Sequence, residues 1–279
     1  MSLKKSNFKK VMRSVLRYIV ALFLLTGALF PIAWMLMTSL KTQVDAFKMP
    51  PTLIFKPTFA NFITAFTQSG FGIYYKNSLT VVISAVALCL LVGVPAAYVL
   101  ARFIFKGKKG LTVWILSVRI APPIAFLIPF FIMFNTLNLL DTILGLILIY
   151  IAINLTMVVW MMKGFFEDVP REIEEAALVE GCTPLQVFLR VSLPISLTGL
   201  AATAVLTFIF CWNELMFAIV LTSYAAKTAT AGIYNFIGYN DVRWGELCAA
   251  SILVIIPVII FILFVQRYLI RGLSFGAVK

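Results

Sequence analysis

The sequence predicts an all-α membrane protein with six transmembrane helices. Three observations carry that reading. Apolar residues make up 62% of the 279-residue chain and Asp, Glu, Lys and Arg only 12%, about half the charge of an ordinary soluble domain. Mean hydropathy is +1.03. Apolar stretches near the ~20 residues that a helix needs to cross a bilayer recur along the whole length. They are Tyr18–Ser39, Ser78–Ala101, Leu111–Phe134, Ile143–Met162, Leu197–Leu221 and Leu247–Arg267.

The basic start (Lys4, Lys5, Lys9, Lys10, Arg13, Arg17) runs into the first span without a small-residue cleavage site. That span is expected to stay as a start-transfer helix. Residues 1–17 then form a cytoplasmic segment and 18–279 one membrane domain. With the N-terminus inside, 1–17, 102–110, 163–196 and 268–279 are cytoplasmic. Together with Arg267 they hold 16 of the 23 Lys and Arg, against six in the outside loops. The excess fits the positive-inside rule with both termini cytoplasmic. The net charge of +12 then reflects topology and attraction to anionic lipid, with no need of nucleic acid. The outside connection 40–77 carries Pro50, Pro51 and Pro57 among aromatics and is expected to fold against the membrane edge. A second outside loop spans 222–246.

Composition also removes chemistry. There is no histidine, hence no His-based zinc site, no Ser-His-Asp triad and no imidazole base. Cys89, Cys182, Cys211 and Cys248 are scattered and read as small apolar fillers. A phosphate loop is missing: Gly107-Lys108-Lys109-Gly110 lacks both its spacing and its Ser/Thr. The chain is therefore expected to be no enzyme, and to hold no metal or cofactor of its own.

One charged stretch interrupts the oil: EEAALVEGCTPLQVFLRVSLPIS, 174–196. Pro170 suits a first helical position, and Glu172, Glu174 and Glu175 follow where the helix dipole favours anions. Gly181 suits the left-handed residue that ends a helix. Thr183-Pro184-Leu185-Gln186 reads as a capping box. Pro194 limits the second helix. Ile173, Ala176, Ala177 and Glu180 fall on neighbouring turns of the first helix, and Leu185, Phe188 and Leu189 cluster on the second. Such a hairpin is either a docking element that lays an apolar stripe on a partner or a solvated loop helix.

The spacing Glu175-Ala176-Ala177, Gly181, then Val191-Ser192-Leu193-Pro194 resembles the EAA loop of permease subunits of bacterial ATP-binding-cassette importers. Ala121-Pro122-Pro123, Leu139-Leu140-Asp141-Thr142, Trp160 to Phe166, Trp212-Asn213-Glu214 and the tail from Gln266 to Lys279 resemble the carbohydrate-uptake branch. The chain is similar to its smaller, six-span, maltose-type partner. The resemblance implies a type I importer permease fold with a core of about 74–267 and an EAA loop at 163–196. It implies that this hairpin is a coupling helix seated in a cytoplasmic ATPase. Glu174, Glu175, Ala176, Ala177, Gly181, Leu193 and Pro194 would be its coupling residues. ATP and magnesium would be bound by the partner ATPase. The implied partners are a second permease subunit, two ATPase copies, an extracytoplasmic substrate-binding protein and membrane lipid, in a bacterial inner membrane.

Polar groups within spans cost at least ~2.5 kcal/mol when charged, and usually face a cavity or a partner. Arg119, Asn154, Trp212, Asn213 and Glu214 are thus candidates for a translocation path. Arg119 and Glu214 could instead pair with each other, and Asn154 could be interhelical glue. Pro95, Pro122, Pro123 and Pro129 interrupt apolar helices, and the kinks beside Arg119 favour a cavity there. For an importer of this branch the cargo is a sugar or derivative, with polyols, glycerol phosphates and anionic sugars as variants. A self-sufficient secondary transporter would instead need inverted repeats and a carboxylate relay, and no repeat is evident.

Overall fold

The computed structural model describes residues 2–238 and 241–275; side chains are described from Met12 to Leu263, apart from Leu116 and Arg119. Among these residues the chain is helical, with a lone antiparallel bridge between Ile237 and Val242. Two compact units emerge. One takes the chain up to Gly70 with Asn235–Leu253, the other Phe71–Tyr234 with the chain from Val254.

The first unit opens with α1 (Ser2–Ser39), whose apolar part, Met12–Ser39, is long enough to span a bilayer. Short helices α2 (Gln43–Phe47) and α3 (Ala60–Ile63) follow. The Asn61 amide ties them back, donating to the carbonyls of Ser39 at 2.8 Å and Lys41 at 2.6 Å. Lys41 is buried, its ammonium over the rings of Trp34 and Phe55 at 5.4 and 5.3 Å, so cation–π attraction offsets part of its lost hydration.

The second unit is built on α4 (Phe71–Arg102). This helix begins seven residues before the predicted second span and runs through Pro95 unbroken. The expected interruption there does not occur, because a helix packed along its length keeps its course when one hydrogen bond is missing. At α5 (Lys108–Ile120) the expectation of a break holds: Pro122 and Pro123 each force the preceding residue into extended backbone. Ala121 and Pro122 have ψ of 133° and 127°. A 3-10 turn, Pro123–Phe126, then leads into α6 (Leu127–Thr136). The predicted third span is thus made of three pieces.

Next come α7 (Ile143–Glu167), capped by the Thr142 hydroxyl, and the hairpin helices α8 (Arg171–Val179), α9 (Pro184–Val187) and α10 (Leu193–Ile195). The predicted fifth span is also divided, into α11 (Leu197–Trp212) and α12 (Met216–Leu221). After α13 (Ala229–Gly232) the chain closes with α14 (Trp244–Phe275). Four described helices, α1, α4, α7 and α14, are long and apolar enough to cross a membrane unbroken. The two other predicted spans are assembled from shorter pieces.

The main packing of the second unit is α4 on α7. Small residues allow the approach, as they do where helices meet in lipid without a hydrophobic drive. A Cβ on Gly93 would stand 2.7 Å from Cγ1 of Val158. Cys89, Ala97 and Ala101 line the same seam, which ends in Tyr98, Phe166 and Phe188.

Candidate functional site

The hairpin is closed by local rules that the sequence announced, with small shifts. Pro170 is the N-cap of α8, one position earlier than expected. At the other end Gly181 has φ of +92°. The Cys182 and Gly181 N–H groups donate to the carbonyls of Ala177 and Leu178, both at 3.0 Å. This paired bonding needs a left-handed residue at the bend. A reciprocal capping box then starts α9: Gln186 N–H donates to Thr183 Oγ1 at 3.3 Å, and Thr183 N–H to Gln186 Oε1 at 2.8 Å. Past Val187 the helix widens into a π turn, Phe188–Ser192, before α10. Pro194 lies inside α10, and the chain bends by 76° between α10 and α11.

The apolar stripe expected along the hairpin divides between inside and outside. Phe188 is buried, its ring 4.9 Å from Tyr98 and 6.1 Å from Phe166. Ile173, Leu178, Val179, Leu185 and Leu189 remain exposed. Glu175, Ala176, Gly181 and Pro194 are exposed as well, while Ala177 and Leu193 are half-buried. Glu174 goes the other way. Grouped by the sequence with the outward coupling residues, it is buried and faces its own chain. Its Oε2 lies 2.7 Å from Arg102 Nε, and its Oε1 accepts the Ser192 hydroxyl at 2.7 Å. Helical geometry permits the split: Glu174 and Glu175 are about 100° apart around α8, so one can face the bundle while its neighbour faces outward. Arg102 was not singled out by the sequence, where it was one inside charge among many, and Ser192 entered only as a letter of the loop motif with no role of its own.

The second candidate locus lies where the third span is broken. A cleft of about 420 Å³ is lined by Pro123 beside the break, by Phe126, Phe130, Phe210 and Phe217, and by the polar groups of Asn154 and Glu214. The cavity expected beside the proline kinks is therefore present. Glu214 sits at the start of α12, its Oε1 accepting from Phe217 N–H at 3.0 Å and its Oε2 from Ala218 N–H at 3.1 Å. A carboxylate satisfies free N–H groups at a helix start, and each oxygen keeps further acceptor capacity toward the cleft. Asn154 is buried and donates to the carbonyl of Tyr150 at 2.9 Å and to Cys211 Sγ at 3.3 Å. It links α7 to α11 and borders the cleft.

Of the remaining path candidates, Trp212 is buried away from the cleft, between Tyr75 and Phe208. It offers no face to a passing solute. The aromatic surface of the cleft comes instead from Phe126, Phe130, Phe210 and Phe217. Asn213 is exposed and returns its amide to Ile209 of its own helix at 2.9 Å. The side chains of Arg119 and of the tail motif from Gln266 to Lys279 lie outside the described residues, and with Arg119 so does its pairing with Glu214.

A third feature was quoted in the sequence only as part of a motif, with no role assigned to it. Asp141, at φ of +55°, accepts backbone N–H groups from Ser223, Tyr224, Ala225 and Ala226 at 3.0 to 3.2 Å. Its partial burial pushes the carboxyl up, but the four N–H groups outweigh that and hold it below the usual aspartate value. The clue in the sequence was a lone acid between two spans, followed by the capping Thr142.

Comparison with known proteins places this architecture. The family described as binding-protein-dependent transport system inner membrane component matches residues 91–275. The probable ABC transporter permease protein y4oR of Sinorhizobium fredii is 40% identical, over 98% of this chain and 99% of that protein. The sulfoquinovosyl glycerol transport system permease protein SmoH of Agrobacterium fabrum is 35% identical, over 95% of this chain and 93% of its own length. Among solved structures, a subunit of a bacterial ABC transporter involved in import of the acidic polysaccharide alginate superposes with a TM-score of 0.79. It covers 92% of this chain and 96% of that one at 24% identity, a likeness of fold.

Proposed function

The chain belongs to the family of binding-protein-dependent transport system inner membrane components, and we propose that it is the sugar-conducting half of a permease pair driven by separate ATPase subunits. It is a membrane-spanning permease component of an ATP-binding-cassette importer, and the chemistry of ATP belongs to other subunits. The cargo is a sugar or sugar derivative. The cleft supports this: acceptor oxygens on Glu214 meet hydroxyl donors, and phenylalanine rings meet the apolar face of a pyranose.

The observation that carries the coupling role is the outward face of the hairpin. Glu175 and Ala176 are exposed beside Ile173, Leu178 and Leu185, a small acid-edged apolar surface of the kind that seats a helix in a groove. The same helix turns Glu174 inward, so the presented face is held firmly to the membrane bundle. Cytoplasmic ATPases dock here, with ATP and magnesium bound on their side, and both termini of this chain lie in the cytoplasm. A second permease completes the path, and an external binding protein delivers the cargo.

The test is reconstitution. The chain, tagged and expressed with its companion genes, is purified and placed in liposomes with ATP inside. Co-purification of an ATPase, and solute entry that requires both ATP and the binding protein, are the expected results. Solute accumulation by this polypeptide alone would overturn the reading in favour of a secondary transporter.

A further inference from the structure

Arg102 is the last residue of α4, and two parts of the hairpin meet it directly while a third reaches it through Glu174. Its Nη2 donates to the carbonyl of Val169, in the turn that leads into α8, at 2.7 Å. Its Nε faces the Glu174 carboxylate of α8 at 2.7 Å. Glu174 in turn accepts the hydroxyl of Ser192, on the π turn after α9, at 2.7 Å. Both charged side chains are 8% exposed. The Nε–H is not aligned for a hydrogen bond to Glu174, so that link is mainly Coulombic, and the aligned bonds are those to Val169 and from Ser192.

A pair buried to this degree is a poor investment in stability alone, because desolvation cancels much of the attraction and well-packed apolar residues often serve as well. What such a pair supplies is a single register. The other contact at this junction, Phe188 against Tyr98 and Phe166, is apolar and tolerates sliding. The charge network does not, since displacing the hairpin along α4 would leave two buried charges unpaired.

We propose that Arg102 is a positioning residue that makes the hairpin and α4 move as one body, so that displacement of the hairpin reaches the membrane helices. This rests on the coupling role proposed above and assigns the residues that transmit it. Glu175 faces the partner; Glu174, Arg102 and Ser192 carry the movement inward.

The test uses the complete importer, purified through a tag on the ATPase and reconstituted with its binding protein. Four variants are compared with the unaltered complex: Glu174→Gln, Arg102→Met, Arg102→Met with Glu174→Met, and the reversed pair Arg102→Glu with Glu174→Arg. The apolar double is expected to assemble normally and hydrolyse ATP, while uptake per ATP falls about tenfold, within the usual range of coupling energies. The reversed pair recovers most of that loss. A purely structural role would lower the amount of complex and leave the ratio of uptake to hydrolysis alone. Normal uptake per ATP in the apolar double overturns the proposal; if that variant does not assemble, normal uptake per ATP in Glu174→Gln does so. Loss of complex in every variant, the reversed pair included, overturns it too. Absence of ATP-driven uptake by the unaltered complex would instead be a failure of the importer reading.

Discussion

Trp212 donates its indole N–H to the carbonyl of Val254 at 3.0 Å, tying the end of α11 to α14. The ring is also stacked on Phe208, with centroids 5.6 Å apart. Trp212→Phe keeps the stack and loses the hydrogen bond, at about 1 kcal/mol. Less protein should survive mild heating in detergent, while the concentration dependence of uptake stays the same. A raised half-saturation constant at equal protein level would show that the indole contacts cargo after all.

Glu214 combines a local and a cleft role, and the two can be separated. Glu214→Ala removes the acceptor for Phe217 and Ala218 N–H together with the charge facing the cleft, whereas Glu214→Gln keeps one acceptor oxygen. Uptake is expected to fall about tenfold or more in the alanine variant, the value of a lost charged hydrogen bond, with ATPase subunits still bound. Arg119→Ala should also impair uptake. If each variant loses protein from the membrane and the double restores it, the two side chains form a structural pair.

Gly181 and Ala177 shape the hairpin. Gly181→Asp places a side chain at φ of +92°, which strains the bend by roughly 1–2 kcal/mol, and adds a charge beside the docking face. Ala177→Arg puts a long cation on a half-buried position of α8. Both are expected to leave the protein in the membrane with ATP hydrolysis uncoupled from uptake. Wild-type transport at wild-type abundance in either variant would refute the coupling assignment.

Asp141 holds the 223–226 loop by four backbone donors. Its folded pKa is lowered, so its stabilisation is present above the unfolded aspartate value of ~3.9 and disappears as pH falls through the folded value. Protease cleavage near residues 223–226 should therefore rise in acid below about pH 4. Asp141→Ala should show that cleavage already at neutral pH. Equal cleavage of parent and variant at pH 7 would rule out the clamp.

Much of the fold was legible because its determinants are local. Pro122-Pro123 breaks its helix wherever it stands, and the Gly181 bend and the Thr183 capping box need only their neighbours. The path candidates were legible as polar groups in oil, but not their directions. Trp212 drew attention as an aromatic beside a carboxylate, and it faces the core; Phe126, Phe130, Phe210 and Phe217 drew none, and they line the cleft. Composition cannot separate a lipid-facing phenylalanine from a cleft-facing one, since both are apolar surroundings. Pro95 misled for a related reason: whether a proline breaks a span depends on what packs around it.

The sequence by itself determined a helical membrane chain, its apolar segments and a charged hairpin with a family signature, because hydropathy and capping are properties of short windows. Tertiary structure alone decided which of two adjacent glutamates faces the bundle. Glu174 is held by Arg102, 72 positions earlier, and by Ser192, 18 positions later. A contact across that separation exists only when α4, α8 and the π turn are packed together.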